Sequence, residues 1–134
     1  MTTLTSDTTW NVGQSHESDV RSRSLTVLLW TGQIAAAAMF LFSGTLKLSG
    51  AGAMVQLFDT IGIGQWFRYL TGGIEVVSAA LLLVPSLAFF GAVALAATMV
   101  GAVFTHLFIA GGNPVLPIVL LATTTAIAWA RRIV

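Results

Sequence analysis

The chain has 134 residues, of which 56% are hydrophobic and 8% charged, and a formal net charge of +1. A soluble domain carries about 25% charged residues, so this composition is that of an integral membrane protein, with length for one domain. The near-neutral charge argues against nucleic acid as a partner, and the lack of cysteine excludes disulfides, thiolate nucleophiles and cysteine-held metal clusters within the chain.

Residues 1–24 are rich in Ser and Thr, with Asp7, His16, Glu17, Asp19, Arg21 and Arg23 among them and no apolar period. This predicts a polar, flexible N-terminal tail. A short helix over the last few of these residues, running on into the next segment, is the alternative. The apolar run that follows is too long for the core of a cleaved leader.

A first span is predicted over 25–48, long enough to cross a bilayer with some tilt. Gln33, Ala37, Phe40, Gly44 and Lys47 recur at spacings of four, three, four and three, and this stripe is the expected inward face. Residues 49–65 break the pattern with Gly50, Gly52, Gly62 and Gly64. Between them, Met54, Val55, Leu57, Phe58 and Ile61 alternate with Gln56, Asp59 and Thr60, which predicts a short amphipathic helix at the membrane interface.

The second span is predicted over 66–85, anchored by Trp66, Phe67 and Tyr69. It carries Glu75 in its middle, roughly 13 Å along the helix from Trp66 and close to the middle of a bilayer. A charge at that depth costs at least about 2.5 kcal/mol and calls for a partner, a proton or water. Arg68, Thr71 and Gly72 precede Glu75 by seven, four and three residues and share its helix face. Ile74, Val77, Leu81 and Val84 form the opposite, lipid-suited face.

The third span is predicted over 87–110, where Ala94, Ala97, Gly101 and Thr105 form a ridge suited to close helix contact. His106 lies near its end. Gly111, Gly112, Asn113 and Pro114 signal a turn, and the fourth span is predicted over 115–133. The threonines at 123–125 can bond their own helix carbonyls and need no special role. The fold class is therefore all-α: an integral membrane four-helix bundle formed by residues 25–134, with an interfacial helix between spans one and two. Arg21, Arg23, Arg131 and Arg132 lie at one end of such a bundle, against Lys47 and Arg68 at the other, which predicts cytoplasmic termini in the cell membrane.

In that topology Lys47, Arg68, Glu75 and His106 fall in one half of the bundle, and Gln33 and the threonines in the other. Each has a structural alternative. Lys47 can snorkel, Arg68 can anchor the interface, and His106 can bond a carbonyl. Glu75 is too deep to snorkel, so its structural alternative is an ion pair, with Lys47 preferred over Arg68 because Arg68 stands two turns away on the same helix. The types suit proton handling, by Glu75 and His106, or binding of a polar head such as a quinone carbonyl by Lys47, Arg68, Thr71, Glu75, His106 and Gln33. One membrane histidine and one carboxylate are too few for a metal centre.

Three stretches, Phe42-Ser43-Gly44-Thr45-Leu46-Lys47-Leu48, Thr71-Gly72-Gly73-Ile74-Glu75 and Ala102-Val103-Phe104-Thr105-His106-Leu107, resemble in that order the DoxX and DoxX-like family. The resemblance runs from about residue 27 to 132 and implies a four-helix membrane bundle. It places Lys47, Glu75 and His106 at the family's polar motif positions. It also implies a quinone- or lipid-binding protein or an accessory membrane subunit of a quinone-linked respiratory redox complex, and leans away from catalysis by this chain alone; the expected assembly is a homo-oligomer or a larger membrane redox complex. A small proton-coupled transporter working as a homodimer and a purely structural subunit are the alternatives.

Overall fold

A computed structural model describes residues 7–132, with side chains from residue 12 onward. The described chain is all helical, with no strands. In order it forms α1 (Asp7–Ser49), α2 (Gly52–Ile61), α3 (Gln65–Leu82), α4 (Ala88–Phe108) and α5 (Val115–Arg131). The chain divides into two compact units, Met1–Thr31 and Gly32–Val134.

The first unit corrects the expectation for residues 1–24. From Asp7 onward they are helical and form the start of α1; residues 1–6 lie outside the described residues. No apolar period marks this stretch because its described side chains are exposed through Leu28. What supports it is local. Asp19 and Arg23 pair one turn apart at 3.4 Å, and the hydroxyls of Ser15, Ser18, Ser24 and Thr26 donate to carbonyls of the preceding turn.

In the second unit α1 buries the predicted stripe. Gln33, Ala37, Phe40 and Gly44 are buried, and Lys47 is mostly so. α3 likewise turns Arg68, Gly72, Glu75, Ser78, Ala79 and Leu82 inward, while Ile74, Val77 and Val84 are exposed. The two helices cross with their backbones close together. A Cβ added at Gly44 would lie 2.9 Å from the Gly72 carbonyl oxygen, and one added at Gly72 would lie 3.1 Å from that of Gly44. Only hydrogen fits at either position, which is why glycine stands at both.

α4 packs on both α3 and α5 and buries Ala88, Gly91, Ala92, Leu95 and Met99. Gly91 lies against α3, since a Cβ there would meet the Ser78 carbonyl oxygen at 2.7 Å. The predicted ridge does not make this contact. Gly101 is exposed and nothing lies within 4 Å of its Cβ position. α4 carries small residues on two faces, and in an apolar helix the period alone does not say which one meets protein.

α2 occupies the predicted amphipathic stretch. Phe58 is buried, edge-on to Phe67 with ring centres 5.8 Å apart, while Gln56, Asp59 and Thr60 are exposed. α5 adds Pro117, Thr124 and Ile127 to the core. Thr124 donates to the Leu120 carbonyl at 2.8 Å, the local bond expected of it.

By length and hydropathy, Val12–Ser49 and Ala88–Phe108 qualify as membrane spans, and Val115–Arg131 is a shorter apolar helix. The helix expected to be the second span does not qualify on composition, because Gln65, Arg68 and Glu75 lie within its 18 residues.

Candidate functional site

The site begins at the glycine crossing of α1 and α3. Lys47 stands three residues after Gly44, and Glu75 three residues after Gly72. The close approach of the backbones therefore brings a long cationic stem and a carboxylate together from two helices. Lys47 Nζ donates to both oxygens of Glu75 at 3.0 Å and to the Ser43 hydroxyl oxygen at 2.7 Å. The Glu75 side chain is 1% exposed and that of Lys47 12%. This is the pair that depth and reach predict. Ser43, one turn before Lys47, completes the ammonium's set of acceptors. Its place four residues before Lys47, on the same helix face, is a signal legible in the spacing alone.

Arg68 joins the same network from the first turn of α3. Its Nη1 donates to the Lys47 carbonyl oxygen, in the last turn of α1, where helix geometry leaves carbonyls without partners. Its Nε donates to Gln65 Oε1 at 2.7 Å. Gln65 in turn donates to Asp59 Oδ1 at 2.6 Å and to the Val55 carbonyl at 3.1 Å, tying α2 to α3. Gln65 and Asp59 were not among the predicted site residues. Gln65 is one turn before Arg68, but nothing in the pattern of α2 shows that Asp59 turns back towards it.

The remaining candidates lie elsewhere. Thr71 bonds the Phe67 and Arg68 carbonyls of its own helix. His106 Nδ1 is 2.9 Å from the Ala102 carbonyl oxygen, also on its own helix. Among the described residues no hydrogen bond or ion pair joins His106 to Lys47, Arg68 or Glu75.

Gln33 belongs to a second polar cluster. It is fully buried, and its Nε2 donates to the carbonyl of Leu82, the last residue of α3, at 2.6 Å. Its Oε1 accepts from Arg131 Nε at 2.7 Å and from Arg131 Nη2. Gln33 thus satisfies a helix-end carbonyl of α3 while holding the end of α5. Arg131 counted only as a topology charge in the sequence, since 98 residues separate it from Gln33.

A family model described as the DoxX-like family matches residues 31–129. The chain belongs to the DoxX-like family. No curated protein and no solved structure gives a significant match. The family assignment and the apolar helices make this a membrane protein in contact with lipid. The DoxX-like match begins one residue before the second compact unit, and it contains Ser43, Lys47, Arg68 and Glu75 entire. Of the Gln33 cluster it takes in Gln33 and Leu82 but stops short of Arg131.

Proposed function

We propose that this DoxX-like protein is a four-span bundle of α1, α3, α4 and α5 with α2 at the interface. On this reading it binds the polar head of a quinone or similar amphipathic molecule as the membrane subunit of a respiratory redox complex. α3 and α5 are about 27 and 26 Å long at the helical rise, close to the hydrocarbon thickness of about 30 Å. The charges that lower the hydropathy of α3 are turned inward, and the residues it exposes are apolar. Such a helix crosses a bilayer within a bundle and could not do so alone.

The observation that carries the reading is the Lys47–Glu75 pair, sealed on the carboxylate side and partly open on the ammonium side. An approaching carbonyl would take the place of the Ser43 hydroxyl, a neutral acceptor, at Lys47 Nζ. Glu75 would hold the ammonium in place and provide for proton exchange. His106 already has a carbonyl partner on its own helix and is left out of the mechanism. The structural-subunit reading is favoured by a different fact: among the described residues, no buried side-chain nitrogen or oxygen lacks a hydrogen-bond partner.

Mass spectrometry of lipid extracts from the protein purified in mild detergent separates these readings. The expected result is a co-purifying quinone, depleted in the Lys47→Met/Glu75→Gln double variant, which leaves no stranded charge. Folded wild-type protein with neither quinone nor an oxidoreductase partner would sink the proposal. Substrate-dependent proton flux in liposomes would replace it with transport. On the topology side, cysteines placed at Ser18 and at Asn113 should label from opposite faces of the membrane, with Ser18 on the cytoplasmic face.

A further inference from the structure

The Lys47–Glu75 pair leaves a neighbouring buried cation without a counter-ion. Arg68 is 4% exposed, yet both of its hydrogen-bond acceptors, Gln65 Oε1 and the Lys47 carbonyl, are neutral. The face of Tyr69 lies 4.3 Å from its guanidinium carbon. Among the described residues no carboxylate forms an ion pair with Arg68. Glu75 is held by Lys47, and Asp59 reaches Arg68 only through Gln65. The carbonyl end of α1 offsets part of the charge, since a helix C-terminus carries about half a negative charge. The rest is uncompensated, which is costly for a buried guanidinium. Nη2 makes no hydrogen bond among the described residues, and no fully buried nitrogen there lacks a partner, so this nitrogen is not completely sealed.

The surroundings of Nη2 suit an oxyanion. A Cβ on Gly50, which has a φ of 75°, would lie 3.6 Å from Nη1 and 3.9 Å from Nη2. Two residues later α2 starts at Gly52 with no side-chain cap. The first bonds onto the Ala51 carbonyl come from the amides of Met54 and Val55, which leaves those of Gly52 and Ala53 ahead of the ladder. A guanidinium fork and the uncapped amides at a helix start are each a recognised chemistry for phosphate, and here Gly50, against the guanidinium, stands two residues before that start. The depth is set by Trp66 and Tyr69, which flank Arg68 in sequence and are 61% and 52% exposed. Exposed Trp and Tyr in a membrane protein sit at the level of the headgroups.

We infer that Arg68 and the uncapped start of α2 bind the phosphate of a membrane phospholipid. This site takes an anion and leaves the Lys47–Glu75 pair as it is, so it stands whether or not a quinone binds there.

The test uses the full chain in a neutral maltoside detergent. Phosphatidylglycerol is compared with a galactosyl diacylglycerol, which lacks phosphate, and with inorganic phosphate; melting temperature and lipid retention by native mass spectrometry are read out. Phosphatidylglycerol should be retained and should raise the melting temperature, and the glycolipid should do neither. Gly52→Asp brings a carboxylate to the site, where nothing lies within 4 Å of the Cβ position. It should weaken phosphatidylglycerol binding about tenfold or more while raising the melting temperature without lipid. Gly52→Asn, the uncharged control, and Arg132→Gln, at an exposed arginine, should bind lipid as wild type does. Arg68→Lys keeps the charge but loses the fork and should weaken retention. Lipid retention unchanged in both Gly52→Asp and Arg68→Lys overturns the inference. Equal stabilisation by inorganic phosphate overturns its assignment to lipid.

Discussion

The two polar clusters of the second unit use the same device with different groups. At one, Arg68 donates to a carbonyl in the last turn of α1; at the other, Gln33 donates to the last carbonyl of α3. Both satisfy a helix end that would otherwise be left without a partner. The difference is in the charge. The Gln33 cluster holds its buried interior with a neutral amide and keeps its cation, Arg131, only half-buried. The Lys47 cluster takes a full ion pair and a second cation inside. A neutral amide would have been enough to join two helices, as Gln33 shows. The charges at Lys47, Glu75 and Arg68 are therefore more than the packing needs, and that excess supports reading this end as the working one.

The largest effect expected from breaking this comparison is at the ion pair. Lys47→Met or Glu75→Gln should each lower stability by about 3–5 kcal/mol, because each strands a buried partner or leaves it poorly matched. The double variant should recover part of the loss. Strictly additive losses in that cycle, measured by unfolding in detergent, would show that the two groups do not interact.

At the other cluster, Gln33→Leu should cost about 1–3 kcal/mol, the usual result of leaving a buried carbonyl without its donor. A loss at Gln33 as large as at Lys47 would erase the distinction between the two ends. The glycine crossing beneath the ion pair gives a similar figure by another route. Gly72→Ala should cost about 1–3 kcal/mol, since its methyl carbon would sit 2.9 Å from Lys47 Cβ and 3.1 Å from the Gly44 carbonyl oxygen. Its effect on any activity should follow the displacement of Lys47.

The smallest effect belongs to Gly101. Gly101→Ala should change the melting temperature of the single chain little, within about 0.5 kcal/mol of stability, because the site is open. A large loss would mean that another molecule covers this face of α4.

Sequence alone determined most of what depends on local period and on the cost of burying charge. The stripe from Gln33 to Lys47, the polar face of α3, the amphipathic α2 and the preference of Glu75 for Lys47 all follow from helical spacing and depth. The family resemblance, read from three short motifs, also held. Tertiary structure alone decided which partners meet across the fold. Arg131 reaches Gln33 over 98 positions, and Asp59 turns back to Gln65, because helix packing brings those ends together and no local period encodes it. It also decided which small-residue face of α4 packs. Gly91 lies against α3 and Gly101 does not, and in a helix apolar on every side that choice rests on the shape of the neighbour.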